Sequence, residues 1–186
     1  MKRIVLTFGF IAGGILSAMM FATVPFLDHI GNDRGEIIGY TTMVLAFLMV
    51  YFGIRSYRDN VAGGTIGFGR AFAVGIQITL IACVCYVASW EIIYYKLMPD
   101  FGDKYAAGVI AKAKTSGATQ AQIAETTQKM EEFKAMYKNP LFNVAMTFVE
   151  PFPVGLVITL VCAGVLRRKR RTPALGDSVL SRAGAS

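Results

Sequence analysis

One histidine, His29, and three cysteines are all the chain has of the side chains that most often bind metals or attack substrates. Cys83 and Cys85 stand two apart in one apolar run, so on a helix they point to nearly opposite sides, and Cys162 falls in another run. No histidine or further cysteine stands near them at metal-ligand spacing. A zinc site and a disulfide framework are therefore not expected, and the thiols read as small buried apolar residues. With no His-rich cluster and no Ser–His pair, no catalytic residue and no cofactor are expected either, and the chain reads as a protein that is not an enzyme.

Charge is scarce as well. Charged residues make up 17% of the 186 positions, against about 25% in an ordinary soluble domain. What fills the gap is apolar, at 54% of residues with a mean hydropathy of +0.50. The net charge of +7 and the pI near 9.5 would suit a nucleic-acid binder. The basic residues, however, sit just outside long apolar stretches, where they orient a membrane protein. No nucleic-acid partner is expected.

A membrane-spanning helix needs about 20 mainly apolar residues. Four segments qualify, at residues 4–27, 37–54, 72–95 and 142–166. Lys2 and Arg3 ahead of the first resemble the start of a signal peptide. The apolar stretch outlasts a typical signal core of about 7–15 residues, and Met20-Phe21-Ala22 lacks the small-x-small cleavage pattern, so a retained helix is expected. The segment after it holds Asp28, Asp33 and Glu36 against Arg34, whereas the next holds Arg55, Arg58 and Arg70 against Asp59. The run Arg167, Arg168, Lys169, Arg170 and Arg171 follows the last span. The excess of Lys and Arg places both termini and the second loop in the cytoplasm. The same run is suited to anionic lipid headgroups, at about 1 kcal/mol per residue. Residues 172–186 have little apolar content and read as a disordered tail.

The long third loop, 96–141, is more than a linker. Thr119 and Gln122 have the spacing of a capping box, and Ile123, Met130, Phe133 and Tyr137 follow at helical spacing. Asn139-Pro140 marks the end. Tyr105 to Lys114 also reads as helical, with Ser116-Gly117 as a break. A helical hairpin results, either a spacer packed on the bundle or a surface that docks a partner.

Small residues recur every fourth position at Gly9, Gly13 and Ser17, at Ala71, Gly75, Thr79 and Cys83, and at Gly155, Thr159 and Ala163. Such rows let membrane helices approach closely, in the same chain, in a membrane-protein partner or in a homo-oligomer. Gly63, Gly64, Gly67 and Gly69 match no phosphate-binding pattern. They read as a tight turn at headgroup level, with Phe68 and Phe72 reaching into lipid.

The segment Tyr51-Phe-Gly-Ile-Arg-Ser-Tyr-Arg-Asp59, the element Gly63-Gly-Thr-Ile-Gly-Phe-Gly69 with Arg70, and Pro153-Val-Gly155 ahead of a basic close carry a resemblance. Together they resemble a bacterial membrane family catalogued as domain of unknown function 4199, over roughly Arg3 to Arg171. The resemblance implies a four-helix bacterial inner-membrane protein and no activity.

Two acids stand inside apolar spans. Glu91 follows Trp90 near one end of the third, and Glu150 lies in the fourth ahead of Pro151-Phe152-Pro153. A charge at mid-membrane costs about 2.5–3.5 kcal/mol on insertion scales, so such acids are functional candidates by default. Pro151 removes a backbone hydrogen bond and should kink its helix, and freed carbonyls beside a carboxylate can form a cation or proton site. At about 1.5 Å per residue, Glu91 lies roughly 6 Å and Glu150 roughly 12 Å below the outer ends of their spans. They could share one layer, or sit at the interface as ordinary structural acids. Gln77 reads as a structural hydrogen-bonder.

The expected fold is all-α: a polytopic bundle of four transmembrane helices over 1–171 with an extracytoplasmic helical hairpin. The expected role is a non-enzymatic accessory or structural component of the bacterial inner membrane. The alternative is a small transporter or ion-conducting protein using Glu91 and Glu150.

Overall fold

Apolar length sets the architecture. The computed structural model describes residues 1–23 and 32–167. Four helical stretches in it are long and apolar enough to cross a membrane: Lys2–Thr23, Ile37–Asn60, Phe68–Leu97 and Pro140–Leu166. Helix α1 is Lys2–Thr23 and α2 is Asn32–Asn60. Helix α3, Phe68–Ile92, runs on through a π-helical turn, Ile93–Leu97. Helices α4, Phe101–Thr115, and α5, Gln120–Tyr137, form the connection between the third and fourth spans. The fourth span is two helices, α6, Pro140–Val149, and α7, Pro151–Leu166. Residues 24–27 of the expected first span, Asp28, Arg168 to Arg171 and the tail 172–186 lie outside the described residues. So do the side chains of Asp33, Arg34 and Glu36.

Three spans differ in extent from the sequence expectation. The second continues past Ile54 to Asn60, because Arg55, Arg58 and Asp59 belong to the helix. Asp59 pairs with Arg58 at 2.7 Å and with Arg55, one turn back, at 3.7 Å, so the charged end continues as helix. Gly63 and Gly64 then reverse the chain, with φ of 63° and 81°, where a side chain would be strained. The Gly64 amide donates to the Arg58 carbonyl at 2.9 Å. The third span starts at Phe68, not at Phe72, and its π turn carries it to Leu97. The fourth starts at Pro140, because Asn139 caps it by accepting from the Leu141 amide at 3.0 Å. Proline fits the first helical turn, which has no partner for an N–H there.

The hairpin forms as the pattern predicts. The Gln122 amide donates to the Thr119 hydroxyl oxygen at 3.3 Å, and the Thr119 amide donates to Gln122 Oε1 at 2.9 Å. Both arms of the capping box are present. Gly117, at φ 80°, makes the turn between the two helices.

Helix α3 is the centre of the bundle, touching α1, α2, α6 and α7. The small-residue rows are the contact surfaces, and the helices they meet belong to the same chain. A Cβ at Gly9 would stand 2.9 Å from Ile81, and one at Gly13 would stand 2.6 Å from the Cys85 Cβ. One turn further, the Ser89 hydroxyl donates to that of Ser17 at 2.7 Å. So α1 lays Gly9, Gly13 and Ser17 along Ile81, Cys85 and Ser89. On another face of α3, Gly75 lies against Thr159 and Thr79 against Gly155, with the two threonine hydroxyls 2.9 Å apart. Phe47, fully buried, closes this contact from α2. Cys83 and Cys162 are buried and Cys85 half-buried, all as free thiols. Gln77 donates to its own helix, to the Ala73 carbonyl.

Candidate functional site

The fourth span breaks where its sequence forbids continuity. Pro151 and Pro153 have no N–H to donate to the carbonyls of Thr147 and Val149, and α6 ends at Val149 while α7 begins at Pro151. Glu150 is the residue between. It stands at the N-terminus of α7, whose partial positive charge favours a carboxylate by about 0.3–1 kcal/mol. Its Oε2 accepts a hydrogen bond from the Tyr86 hydroxyl at 2.9 Å. A break, a dipole and a phenol thus make an acid tolerable about ten residues, or roughly 15 Å, along the span.

Glu150 and Tyr86 line a cavity of about 150 Å³. The first span contributes Leu16, Met19, Met20 and Thr23 to its wall. The second contributes Ile38, Thr42 and Met43, together with Gly35 and Gly39. At both glycines a Cβ would meet nothing within 4 Å, so their missing side chains are part of the space. On the side of the termini the packing is closed, with Met43 2% exposed and Phe47 and Ile78 fully buried.

Glu91 lies elsewhere. It is half-buried, and its Oε1 is enclosed without a hydrogen-bond partner. Tyr86, which holds Glu150, precedes Glu91 by more than one helical turn. The structure joins Glu150 to Tyr86 and leaves Glu91 outside the cavity wall.

A second polar node ties the hairpin to the spans. The indole N–H of Trp90 donates to the Tyr137 hydroxyl at 2.9 Å and to Asn143 Oδ1 at 3.2 Å. Asn143, fully buried, also accepts from the Thr147 hydroxyl at 3.2 Å. Around it Phe101 meets Trp90 edge-on at 4.7 Å, Tyr94 meets Tyr137 at 5.5 Å and Phe133 meets Tyr137 at 5.1 Å. Burial pushes the Tyr137 hydroxyl above its ordinary pKa and keeps it neutral. Sequence reasoning found Phe133 and Tyr137 by their spacing and missed this node. Its signal was an amide, Asn143, just inside an apolar span. Tyr86 gave no such signal, because a tyrosine in an apolar run is ordinary.

Among the described residues no three His, Cys, Asp or Glu side chains come together as metal ligands. On the side of the termini, Arg70 donates to the Tyr57 hydroxyl at 3.1 Å, and Phe68 stacks on Phe72 at 6.3 Å. Arg167 lies at the exposed end of α7.

A family model described as "Protein of unknown function (DUF4199)" matches residues 7–168. No curated protein and no solved structure matches the chain.

Proposed function

This chain belongs to the DUF4199 family of unknown function, and on that premise we propose that it is a non-enzymatic accessory protein of the bacterial inner membrane that works by binding. The observation that carries this reading is the Glu150–Tyr86 pair set in a cavity closed on the side of the termini. An acid at a helix break within an apolar span is costly and needs a use. A cavity with a sealed floor suits holding a ligand better than passing one. The excess of Lys and Arg around Arg55, Arg58, Arg70 and Arg167 supports an orientation with both termini in the cytoplasm. The hairpin and the cavity then face outward, and the basic run 167–171 meets anionic headgroups. The hairpin is a candidate surface for a membrane-protein partner or a second copy of the chain.

A transporter is the second reading, favoured by one observation. Discontinuous helices with polar groups at the break are how secondary transporters build substrate sites, and the fourth span is discontinuous at Glu150. Flux separates the two readings. Purified protein in sealed vesicles should leave proton, sodium and small-cation permeability at the level of empty vesicles, and a saturable flux lost in Glu150→Gln would decide for transport. Orientation is read by labelling single cysteines in a background lacking Cys83, Cys85 and Cys162. Ser116→Cys should react from outside intact cells and Val61→Cys only after the membrane is opened; the reverse pattern would overturn the orientation.

A further inference from the structure

The third span is longer than a bilayer needs. Phe68–Leu97 is 30 residues, roughly 45 Å as helix, against a hydrocarbon core of about 30 Å. The first turn, at the end near the termini, therefore stands among lipid headgroups. It carries Phe68, Arg70 and Phe72. Phe68 is exposed and stacks on Phe72 at 6.3 Å. Rings placed so belong with acyl chains, and Arg70, two residues from each, leaves the other side of the same turn at phosphate level.

Arg70 is exposed, yet one edge of it is fixed. Its Nε donates to the Tyr57 hydroxyl at 3.1 Å, and Tyr57 is only 3% exposed. The two Nη groups form the other edge of the fork, the one that matches a pair of phosphate oxygens. Arg58 is used differently. Its Nε and Nη2 donate to the Asp59 carboxylate at 2.7 and 3.2 Å, and Arg55 stands 3.7 Å from the same carboxylate. Asp59 is the one acid between residues 55 and 71. Two of the three arginines there share it, and the third is held by a phenol.

We propose that the Arg70–Tyr57 pair is a binding site for the phosphate of an anionic phospholipid. A phosphodiester offers acceptor oxygens and one negative charge, the complement of a guanidinium fork. Charge complementarity names the class. Three arginines to one carboxylate favour a headgroup with net negative charge, whereas a zwitterion brings a cation of its own. Depth names the source: a lipid holds its phosphate at the level of Arg70, which gives it a high effective concentration there, while a soluble anion must come from bulk water. Tyr57 supplies pre-organisation. A guanidinium already fixed along one edge loses less side-chain freedom on binding than a free one. The site is separate from the Glu150 cavity and from the basic run 167–171, and the same chemistry holds whichever leaflet the end of the bundle meets.

The test uses the full chain in micelles of a neutral detergent. Native mass spectrometry counts bound lipid as phosphatidylglycerol or phosphatidylcholine is added. Phosphatidylglycerol should bind the more tightly. Arg70→Gln should weaken the first phosphatidylglycerol by about fivefold or more, the scale of one cation at an anionic headgroup, and leave phosphatidylcholine nearly unchanged. Arg70→Lys keeps the charge and loses the fork, and Tyr57→Phe keeps the fork and loses its anchor. Both should fall between the parent and Arg70→Gln. Gly69→Asp sets a carboxylate next to Arg70, as Asp59 stands next to Arg58, in space where a Cβ meets nothing within 4 Å. It should imitate Arg70→Gln, and it is the second variant should that one assemble poorly. Arg167→Gln removes a cation from the same end of the bundle and should cost less. Equal losses in Arg70→Gln and Arg167→Gln, or an Arg70→Lys that binds like the parent, would mean diffuse attraction and overturn the site. Phosphatidylcholine binding as tightly as phosphatidylglycerol would overturn the anionic class. Displacement of phosphatidylglycerol by inorganic phosphate at millimolar concentration would reassign the pair to a soluble anion and overturn the lipid.

Discussion

On the side of the termini, Gly75 and Gly155 each face a threonine on the neighbouring helix, and a Cβ at Gly155 would stand within 3 Å of the Phe47 ring. On the hairpin side, a Cβ at Gly35 or Gly39 would meet nothing within 4 Å. At these two pairs of positions the same residue type does opposite work. At Gly75 and Gly155 the missing side chain lets helices touch; at Gly35 and Gly39 it leaves a space. In lipid, close contact is a main source of helix association, so the contact at Gly75 and Gly155 stabilises the bundle and the space at Gly35 and Gly39 is free to carry polar groups. The two sides also differ in where their hydrogen bonds go. The Thr79–Thr159 pair is sealed within the packing, whereas Tyr86–Glu150 and Trp90–Asn143 lie where the bundle opens or meets the hairpin.

The largest effect should come from swapping these roles. Gly155→Ala forces a methyl into Thr79 and Phe47, and overpacking of this kind costs about 1–3 kcal/mol. Gly39→Ala puts the same methyl into open space on a helix, where alanine is favoured over glycine by about 0.5–1 kcal/mol. Unfolding in mixed micelles should show the first variant clearly destabilised and the second equal to the parent or better. Similar losses in both would mean that the cavity side is packed as tightly as the core, and the contrast would fail.

Next comes the joint between hairpin and spans. Trp90→Phe keeps the ring and removes the N–H that Tyr137 and Asn143 share. Leaving buried acceptors short of a donor costs about 1–3 kcal/mol, part of which the Thr147 bond to Asn143 offsets. Hydrogen exchange should show lost protection in Gln120–Tyr137 with the Thr79–Thr159 region unchanged. Loss spread evenly through all four spans would show that hairpin and bundle open as one unit.

A smaller change sharpens the hairpin alone. Thr119→Ala removes one arm of the capping box, worth about 1 kcal/mol to the helix. Faster amide exchange should be confined to the first turn after Thr119, since this end of α5 is exposed. Slower or unchanged exchange there would mean that the cap is replaced by another contact.

Much of this fold was legible in the sequence because membrane spans, caps and small-residue rows are local signals. The capping box at Thr119 and Gln122 is a pattern four residues long, and the break at Pro151 follows from a missing N–H. Span ends were harder to read. Arg55, Arg58 and Asp59 look like loop by charge, yet they stay helical because their side chains pair with one another. The site was half legible. Glu150 stood out as an acid in an apolar run, but its partner Tyr86 lies 64 positions away, and no local pattern couples them. Glu91 carried the same signal and turned out to lie away from the cavity wall. The opening at Gly35 and Gly39 could not be foreseen, since only the packing tells a glycine that admits a neighbour from one that leaves room.

The smallest expected effect concerns an exposed ion pair and carries a definite sign. Lys134 of α5 reaches Asp103 of α4 at 2.7 Å, and also Glu131 one turn back on its own helix at 3.1 Å. The hydrogen bond from Lys134, and then its charge, holds the Asp103 carboxyl below the ordinary carboxylate range, and Lys138 adds to the pull. A depressed folded pKa means that the contribution to folding is present above the unfolded value of about 3.9 and is lost as pH falls through the lower folded value. Acid should therefore loosen the contact between α4 and α5, and alkaline conditions up to the lysine range should not. Because both ends of the pair reach water, salt should screen it and the gain should be slight. Carbon-detected titration of Asp103 is the direct measurement. In the parent its pKa should lie below that of a free aspartate, and in Lys134→Met it should rise toward about 3.9. Exchange in the Phe101–Thr115 segment should increase modestly, with the Trp90 joint unchanged. An Asp103 pKa indifferent to Lys134→Met would show that the cross-hairpin pair does not form in lipid, leaving the aromatic contacts around Tyr137 to hold α4 against α5.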